Sequence, residues 1–202
     1  KHEKMKGKGE LNCAITAILF EVLKKNGIPM AYVKKIDEKT IEVRDVKMIP
    51  VEVVVRNRAY GSFLKRFNFK EGAEFKKPLA EFFFKDDEKN DPQLTRELFE
   101  FLNIASEDEI EKMKKYALKI NEILKEIFEK IDIVLVDFKI EFGRDNNNDI
   151  ILADEIDPDS CRLWGKNGEI YDKERYRNGM DGVMEHYNEI LNRLKKSARL
   201  TV

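Results

Sequence analysis

The chain holds 202 residues, with 38 Lys and Arg against 39 Asp and Glu, a formal net charge of -1 at pH 7 and 42% hydrophobic residues. That balance argues against a nucleic-acid protein or an acidic-membrane binder held by a general basic field, and no run approaches the ~18 apolar residues of a membrane-spanning helix. Cys13 and Cys161 stand far apart without paired spacing, so two reduced thiols in a cytoplasmic protein are expected.

Apolar residues at Leu11, Ala14, Ile15, Ile18, Leu19, Val22 and Leu23 recur at helical spacing, and Asn26-Gly27 followed by Pro29 supplies a stop. Short β-branched runs follow at Tyr32 to Lys35, Thr40 to Val46 and Val51 to Arg56, broken by Asp37-Glu38-Lys39 and by Pro50. Connections this short leave no room for crossover helices, which predicts an antiparallel sheet. Gly61, Gly72 and Pro78 punctuate a polar middle section, and Lys85 to Pro92 reads as a charged loop.

At Ser106 the pattern changes. Ser106 and Glu109 can form a capping box ahead of an apolar stripe at Ile110, Met113, Ala117, Ile120, Leu124 and Ile127, predicting a long helix to about Lys130 whose stripe is core. Ile131 to Phe142 then predicts a strand, Gly143 to Asp149 an Asn-rich turn, and Ile150 to Ile156 the returning strand. A last amphipathic helix covers about Gly182 to Lys195, with Val183, Tyr187, Ile190, Leu191 and Leu194 inward. The sum is an α+β chain. His2 and His186 are too isolated to make a metal site, and His186 is expected at the surface or an interface. Phe82, Phe83 and Phe84 belong to a core or lobe interface, since base stacking needs a basic patch beside it.

Chemistry concentrates in two places. In Val136-Asp137-Phe138-Lys139-Ile140-Glu141-Phe142, alternation puts Asp137, Lys139 and Glu141 on one face and the apolar residues on the other. A turn centred on Asn147-Asn148 sets Glu141 opposite Asp154, and two facing carboxylates repel unless a proton or a cation such as Mg²⁺ lies between them. The strand continues into Asp154-Glu155-Ile156-Asp157-Pro158-Asp159-Ser160-Cys161-Arg162-Leu163-Trp164, whose acids, arginine and lone tryptophan suggest the lip of a site. The second place is Val51 to Ser62, a buried strand running into Arg56, Arg58 and Gly61-Ser62. There arginine forks, a hydroxyl and close backbone amides suit a phosphate or carboxylate. Pairing of Arg56 or Arg58 with nearby acids is the plainer alternative.

Val51 to Ser62, Val136 to Gly143, Asp154-Glu155-Ile156, Pro158-Asp159 and Cys161 to Trp164 together resemble the SAICAR synthetase family of purine biosynthesis, from Gly7-Lys8-Gly9-Glu10-Leu11-Asn12 through Gly182-Val183-Met184-Glu185. The resemblance implies a two-lobed α+β fold, antiparallel sheets with flanking helices around an ATP cleft, divided here as 1–80 and 81–202. It implies a ligase joining L-aspartate to the carboxylate of an aminoimidazole ribonucleotide (CAIR) through an acyl phosphate, with ATP and Mg²⁺, in a cytoplasmic homodimer. By matching motif, Glu141 and Asp154 resemble the acids that hold Mg²⁺ on the nucleotide, Lys85 the nucleotide-binding lysine, and the backbone near Met48 the segment beside adenine. Arg56, Ser62 and Arg162 resemble the residues that grip the ribonucleotide phosphate and carboxylate. Asp137 and Lys139 line the same cleft, Lys139 steadying the carboxylate under attack, while Asp159 and Ser160 are candidates for the aspartate site.

The resemblance also leads one to expect a phosphate-covering β-ribbon ahead of the first helix, strands that 1–80 does not contain. Tyr60, Asp157 and Gly165 depart from the family pattern, differences that bear on the pocket's shape more than on the reaction. Two rivals stand beside the ligase: a kinase-like phosphotransferase, which would carry a His-Arg-Asp or Asp-Phe-Gly signature not seen here, and a non-catalytic nucleotide sensor, which would not need Arg56 and Arg162.

Overall fold

The computed structural model describes residues 5–199, so His2 lies outside the described residues. The predicted first helix is α1 (Lys8–Lys25), closed at Asn26, and its buried stripe runs through Ile15, Leu19 and Leu23. The β-branched runs separate into two sheets. Strands β1 (Tyr32–Lys35) and β2 (Ile41–Val43) form a hairpin of their own, whereas β3 (Lys47–Arg58) joins a different, five-stranded sheet.

Pro50 does not end a strand; it lies inside β3, where the register with the neighbouring strand shifts between Met48 and Glu52. A residue without an N–H is tolerated at such an irregularity. The polar middle section likewise hides a strand, β4 (Glu74–Phe84). Pro78 is compatible with it because β4 is the sheet edge, bonded to β3 alone along that path. The expected division at residue 80 therefore falls inside β4, and strands from both sides of it share one sheet.

A five-residue helix, α2 (Ser62–Arg66), bridges β3 and β4, and a short 3-10 turn at Asp87–Lys89 marks the charged loop. The helix α3 (Arg96–Phe101) was not legible in the sequence, for it has little more than one turn and a single buried residue, Phe99. The long helix is α4 (Glu107–Glu129), with the capping box between Ser106 and Glu109 formed as the spacing predicts.

Strand β5 (Ile133–Arg144) is the spine of the large sheet. On one edge it pairs antiparallel with β3, matching Arg56 to Asp137, Val54 to Lys139 and Glu52 to Glu141. On its other edge the far half takes β6 (Ile150–Leu152), and the near half takes β7 (Cys161–Gly165). Residues 153–160 thus cross beside Lys139 and Glu141: Ala153 N–H donates to Glu141 O at 3.0 Å, and Lys139 N–H donates to Ser160 O at 2.9 Å.

A register shift between Leu135 and Asp137 lets Ile133 and Leu135 join the core along with Phe138, Ile140 and Phe142, leaving Asp137, Lys139 and Glu141 on the opposite face. Helix α4 covers the apolar face through Met113, Ala117, Ile120, Leu124 and Phe128. The chain closes with α5 (Glu174–Arg177) and α6 (Val183–Arg199), and all five residues expected to face inward on the last helix are buried.

His186, expected at the surface or an interface, is mostly covered within the chain, its side chain 14% exposed. One ring nitrogen lies 2.7 Å from Glu169 Oε1 and the other 2.6 Å from Gly182 O. Cys13 and Cys161 are both free thiols.

Candidate active site

The sheet face away from α4 carries Glu52 and Arg56 from β3, Glu81 from β4, Asp137, Lys139 and Glu141 from β5, and Arg162 from β7. Strand alternation and the observed register bring these seven charged side chains together. Two adjacent networks result.

The first is built on Arg56, only 2% exposed. Its Nε donates to Glu81 Oε2 at 2.6 Å, Nη1 to Asp137 Oδ2 at 2.9 Å, and Nη2 to Ser62 Oγ at 2.8 Å. Glu81 also accepts from Arg66 Nη2 at 2.7 and 3.0 Å, and Asp137 from Arg162 Nη1 at 2.9 and 3.1 Å. Arg56 thus pairs with nearby acids, the plainer of the two sequence expectations, and from its buried position it aligns Ser62 and Asp137 beside the cavity it lines. Arg162, with its side chain 15% exposed, stands nearer the solvent and leans on Glu174 at 3.2 Å. Arg58 takes the plainer alternative, pairing with Glu74.

The second network holds the carboxylates. Lys85 Nζ lies 2.8 Å from both oxygens of Glu141, and Lys139 Nζ donates to Glu52 Oε1 at 2.6 Å and to Glu141 Oε1 at 3.3 Å. Burial disfavours the charge on Glu141, but the two lysines outweigh it and hold its carboxyl below the usual range. Burial together with the charge of Glu141 pushes Asp154 the other way. Glu52 and Glu141 in turn keep the Lys139 ammonium charged in spite of its burial.

The hairpin register differs from expectation by one residue: Phe142 pairs with Leu152, so Ala153 and not Asp154 follows opposite Glu141. Because β6 ends at Leu152, Asp154 leaves the ladder, yet it stays close enough to Glu141 to feel its charge. Among the described residues no group of three or more His, Cys, Asp or Glu is arranged to hold a metal. Two oxygen donors pushed together still match Mg²⁺, which takes one or two carboxylates and completes its shell with phosphates and water.

The remaining candidates sit around these networks. Met48 pairs with Gly143, where a Cβ would come within 3.1 Å of Lys47 O, and Lys85 N–H donates to Pro50 O at 3.1 Å. The Met48 backbone segment and Lys85 are thus parts of one rim. Asp159 is tied to the helices, accepting from Asn12 Nδ2 at 2.6 Å and Tyr187 OH at 2.8 Å with Lys8 Nζ at 2.8 Å. Ser160 closes a turn, its Oγ accepting from Asp157 N–H at 3.0 Å. A cavity of about 410 Å³ opens beside Arg56, lined by Glu52, Ser62, Lys65, Arg66 and Asp91 among others.

Asp157 is 2% exposed and accepts from the N–H groups of Asp159 at 2.7 Å and Ser160 at 3.1 Å. Burial, then the charges of Asp159 and Glu155, pushes its carboxyl from 3.8 up to about 7. A carboxyl raised on folding favours the fold at pH below its unfolded value and loses that contribution as pH climbs through the folded one. Asn keeps the acceptor without the charge. Asp157→Asn is therefore expected to gain on the parent chain between pH 5 and 8 by about 1–3 kcal/mol, measured by urea unfolding across that range.

The family model described as SAICAR synthetase matches residues 1–194. The chain belongs to the SAICAR synthetase family. A relative in Staphylococcus carnosus, phosphoribosylaminoimidazole-succinocarboxamide synthase, is 48% identical over 196 residues, covering 96% of this chain and 84% of that protein. A SAICAR synthetase solved in complex with ADP superposes with a TM-score of 0.93 at 42% identity, over 96% of this chain and 83% of that one. The Pyrococcus horikoshii SAICAR synthetase gives 0.93 at 41%, over 97% and 86%.

Membership in the SAICAR synthetase family directs attention to residues that the sequence reading passed over. Glu52 bonds Lys139, Glu81 gathers Arg56 and Arg66, and Glu174 braces Arg162. A signal was present for two of them. Glu52 interrupts Val51 to Val55, and Glu81 interrupts Leu79 to Phe84; an acid inside an apolar strand is seldom left without a partner.

Proposed function

We propose that this chain catalyses the ATP-dependent joining of L-aspartate to the carboxylate of CAIR, giving SAICAR, ADP and phosphate. The observation that carries the reading is the adjacency of the Lys85–Glu141–Lys139–Glu52 chain to the Arg56–Asp137–Arg162 cluster on one sheet face. The family membership and the ADP-bound neighbour support the same assignment.

A carboxylate resists attack by an amine until one of its oxygens becomes a leaving group. Transfer of the γ-phosphoryl of ATP to that oxygen gives an acyl phosphate, and the aspartate amine then displaces phosphate. Catalysis of such a transfer rests mainly on alignment and on neutralising charge. Lys85, on the rim beside the Met48 backbone, would meet the nucleotide phosphates, and Lys139 would steady the carboxylate under attack. Ser62 and Arg162 would hold the ribonucleotide's anionic groups. Asp137 already accepts from two guanidinium groups, so we assign it to orienting Arg56 and Arg162. Asp159 would receive aspartate at the α1–α6 side. Glu141 and Asp154 would hold Mg²⁺, which supplies charge neutralisation to the phosphates when bound. A cytoplasmic homodimer is part of the proposal; no described helix is long and apolar enough to cross a membrane.

The test is a coupled assay of ADP release with each substrate omitted in turn. Dependence on all three substrates is expected. ADP formation indifferent to aspartate or to CAIR would sink the ligase reading in favour of a phosphotransferase, and binding of ATP without turnover would favour a sensor.

A further inference from the structure

We infer that Tyr60 is a positioning residue: its ring, braced by Trp164, holds the Arg162 guanidinium in place before the anionic ribonucleotide arrives. The inference rests on the reading of Arg162 as a residue that grips this substrate. Neither aromatic ring is assigned a role by that reading.

The geometry closes around one guanidinium from several sides. Arg162 Cζ lies 5.1 Å from the centre of the Tyr60 ring, within the range of a cation–π contact. The Tyr60 and Trp164 rings meet edge to face, centroids 5.2 Å apart at 84°. Asp137 takes Nη1 at 2.9 Å, and Glu174 lies 3.2 Å from Nη2. Backbone makes room where it must: Gly61 has φ +58°, and a Cβ there would fall 2.7–2.9 Å from the guanidinium atoms. Gly72 passes Trp164 less tightly, a Cβ there meeting its ring at 3.2 Å.

The chain's local order explains the arrangement. Tyr60 follows the last residues of β3, whereas Arg162 and Trp164 are alternate residues of β7 and so share a face. Trp164 can therefore support from β7 the ring that β3 delivers over Arg162. An arginine free to sample its rotamers would lose that freedom on binding, and prior confinement removes the loss from the binding step. The carboxylates fix the edges of the guanidinium, and the ring fixes its plane.

The consequence is selective. Losing the ring should weaken recognition of the ribonucleotide without disturbing ATP, aspartate or the chemical step. Tyr60→Leu is expected to raise the KM for CAIR by about 5–10-fold, with kcat and the other two KM values within about twofold of the parent. Tyr60→Phe, which keeps the ring, should stay within about twofold throughout.

To separate ring electrostatics from packing, phenylalanines carrying increasing numbers of fluorines are placed at position 60. They keep nearly the same shape while draining the negative ring face, so the CAIR KM should climb with each fluorine. This series also serves if Tyr60→Leu fails to fold. A flat KM across the fluorinated series, with Arg162→Gln measured in parallel and raising the CAIR KM, overturns the role of Tyr60 alone. If Arg162→Gln itself leaves that KM unchanged, the assignment of Arg162 has failed and the role of Tyr60 falls with it.

Discussion

Glu141→Gln is expected to lower turnover by about 10²–10³-fold while leaving the thermal transition close to that of the parent chain, because it removes a charge from the phosphoryl-transfer site and very little volume. The carboxylate is the meeting point of Lys85 and Lys139, both within 3.3 Å, and its charge acts on Asp154 nearby. Without its charge, Lys85 loses its partner, and Asp154, whose carboxyl burial already holds high, is relieved of the repulsion that raises it further. The arrangement that would receive a divalent cation on the nucleotide is then reduced to one carboxylate. Weakened ATP binding in the presence of Mg²⁺, read by calorimetry with and without the metal, should accompany the loss of ADP release. Asp154→Asn should act in the same direction. Turnover within about threefold of the parent for both variants would reduce the hairpin to ordinary cross-strand charge pairing.

Arg56→Met should instead act first on the fold. Its guanidinium is 2% exposed and touches Glu81, Asp137 and Ser62, so replacing it leaves two buried carboxylates with one partner fewer each. Breaking a buried pair costs about 3–5 kcal/mol, because the unpaired charge stays out of water. For a chain of this size that corresponds to a fall in Tm of about 6–20 °C. Glu81 keeps Arg66 and Asp137 keeps Arg162, which favours the lower half of that range. Activity should fall with the fold intact well below the transition, because Ser62 and Asp137 lose the group that aligns them. A transition unmoved by more than about 2 °C would show that Arg56 is not the buried hub its contacts make it.

The contrast between these residues shows how far the sequence could be read. Alternation along Val136 to Phe142 sufficed to put Asp137, Lys139 and Glu141 on one face, and the spacing from Ser106 sufficed to predict α4 with its cap. Both patterns are local, and they are strong because one face of each element is packed in the core. The separation of β3 from the β1–β2 hairpin was not legible, since the choice of partner strand depends on residues some 80 positions away in β5. Strand β4 was concealed by Pro78 and by its exposed positions, both of which an edge strand allows.

By itself, then, the sequence determined the apolar faces, the long helix and which residue types could carry the chemistry, because periodicity and capping are written into consecutive residues. Only the tertiary structure decided what those residues do for one another. The hairpin slips by one position, yet Asp154 still returns to Glu141 because β6 stops at Leu152. Arg56, which the sequence left between gripping an anion and pairing with acids, is buried against Glu81 and Asp137, whereas Arg162 stands beneath Tyr60 nearer the solvent. Partnership among charges depends on distance and burial, and both are set where β3, β4, β5 and β7 meet in one sheet; no run of adjacent residues contains that information.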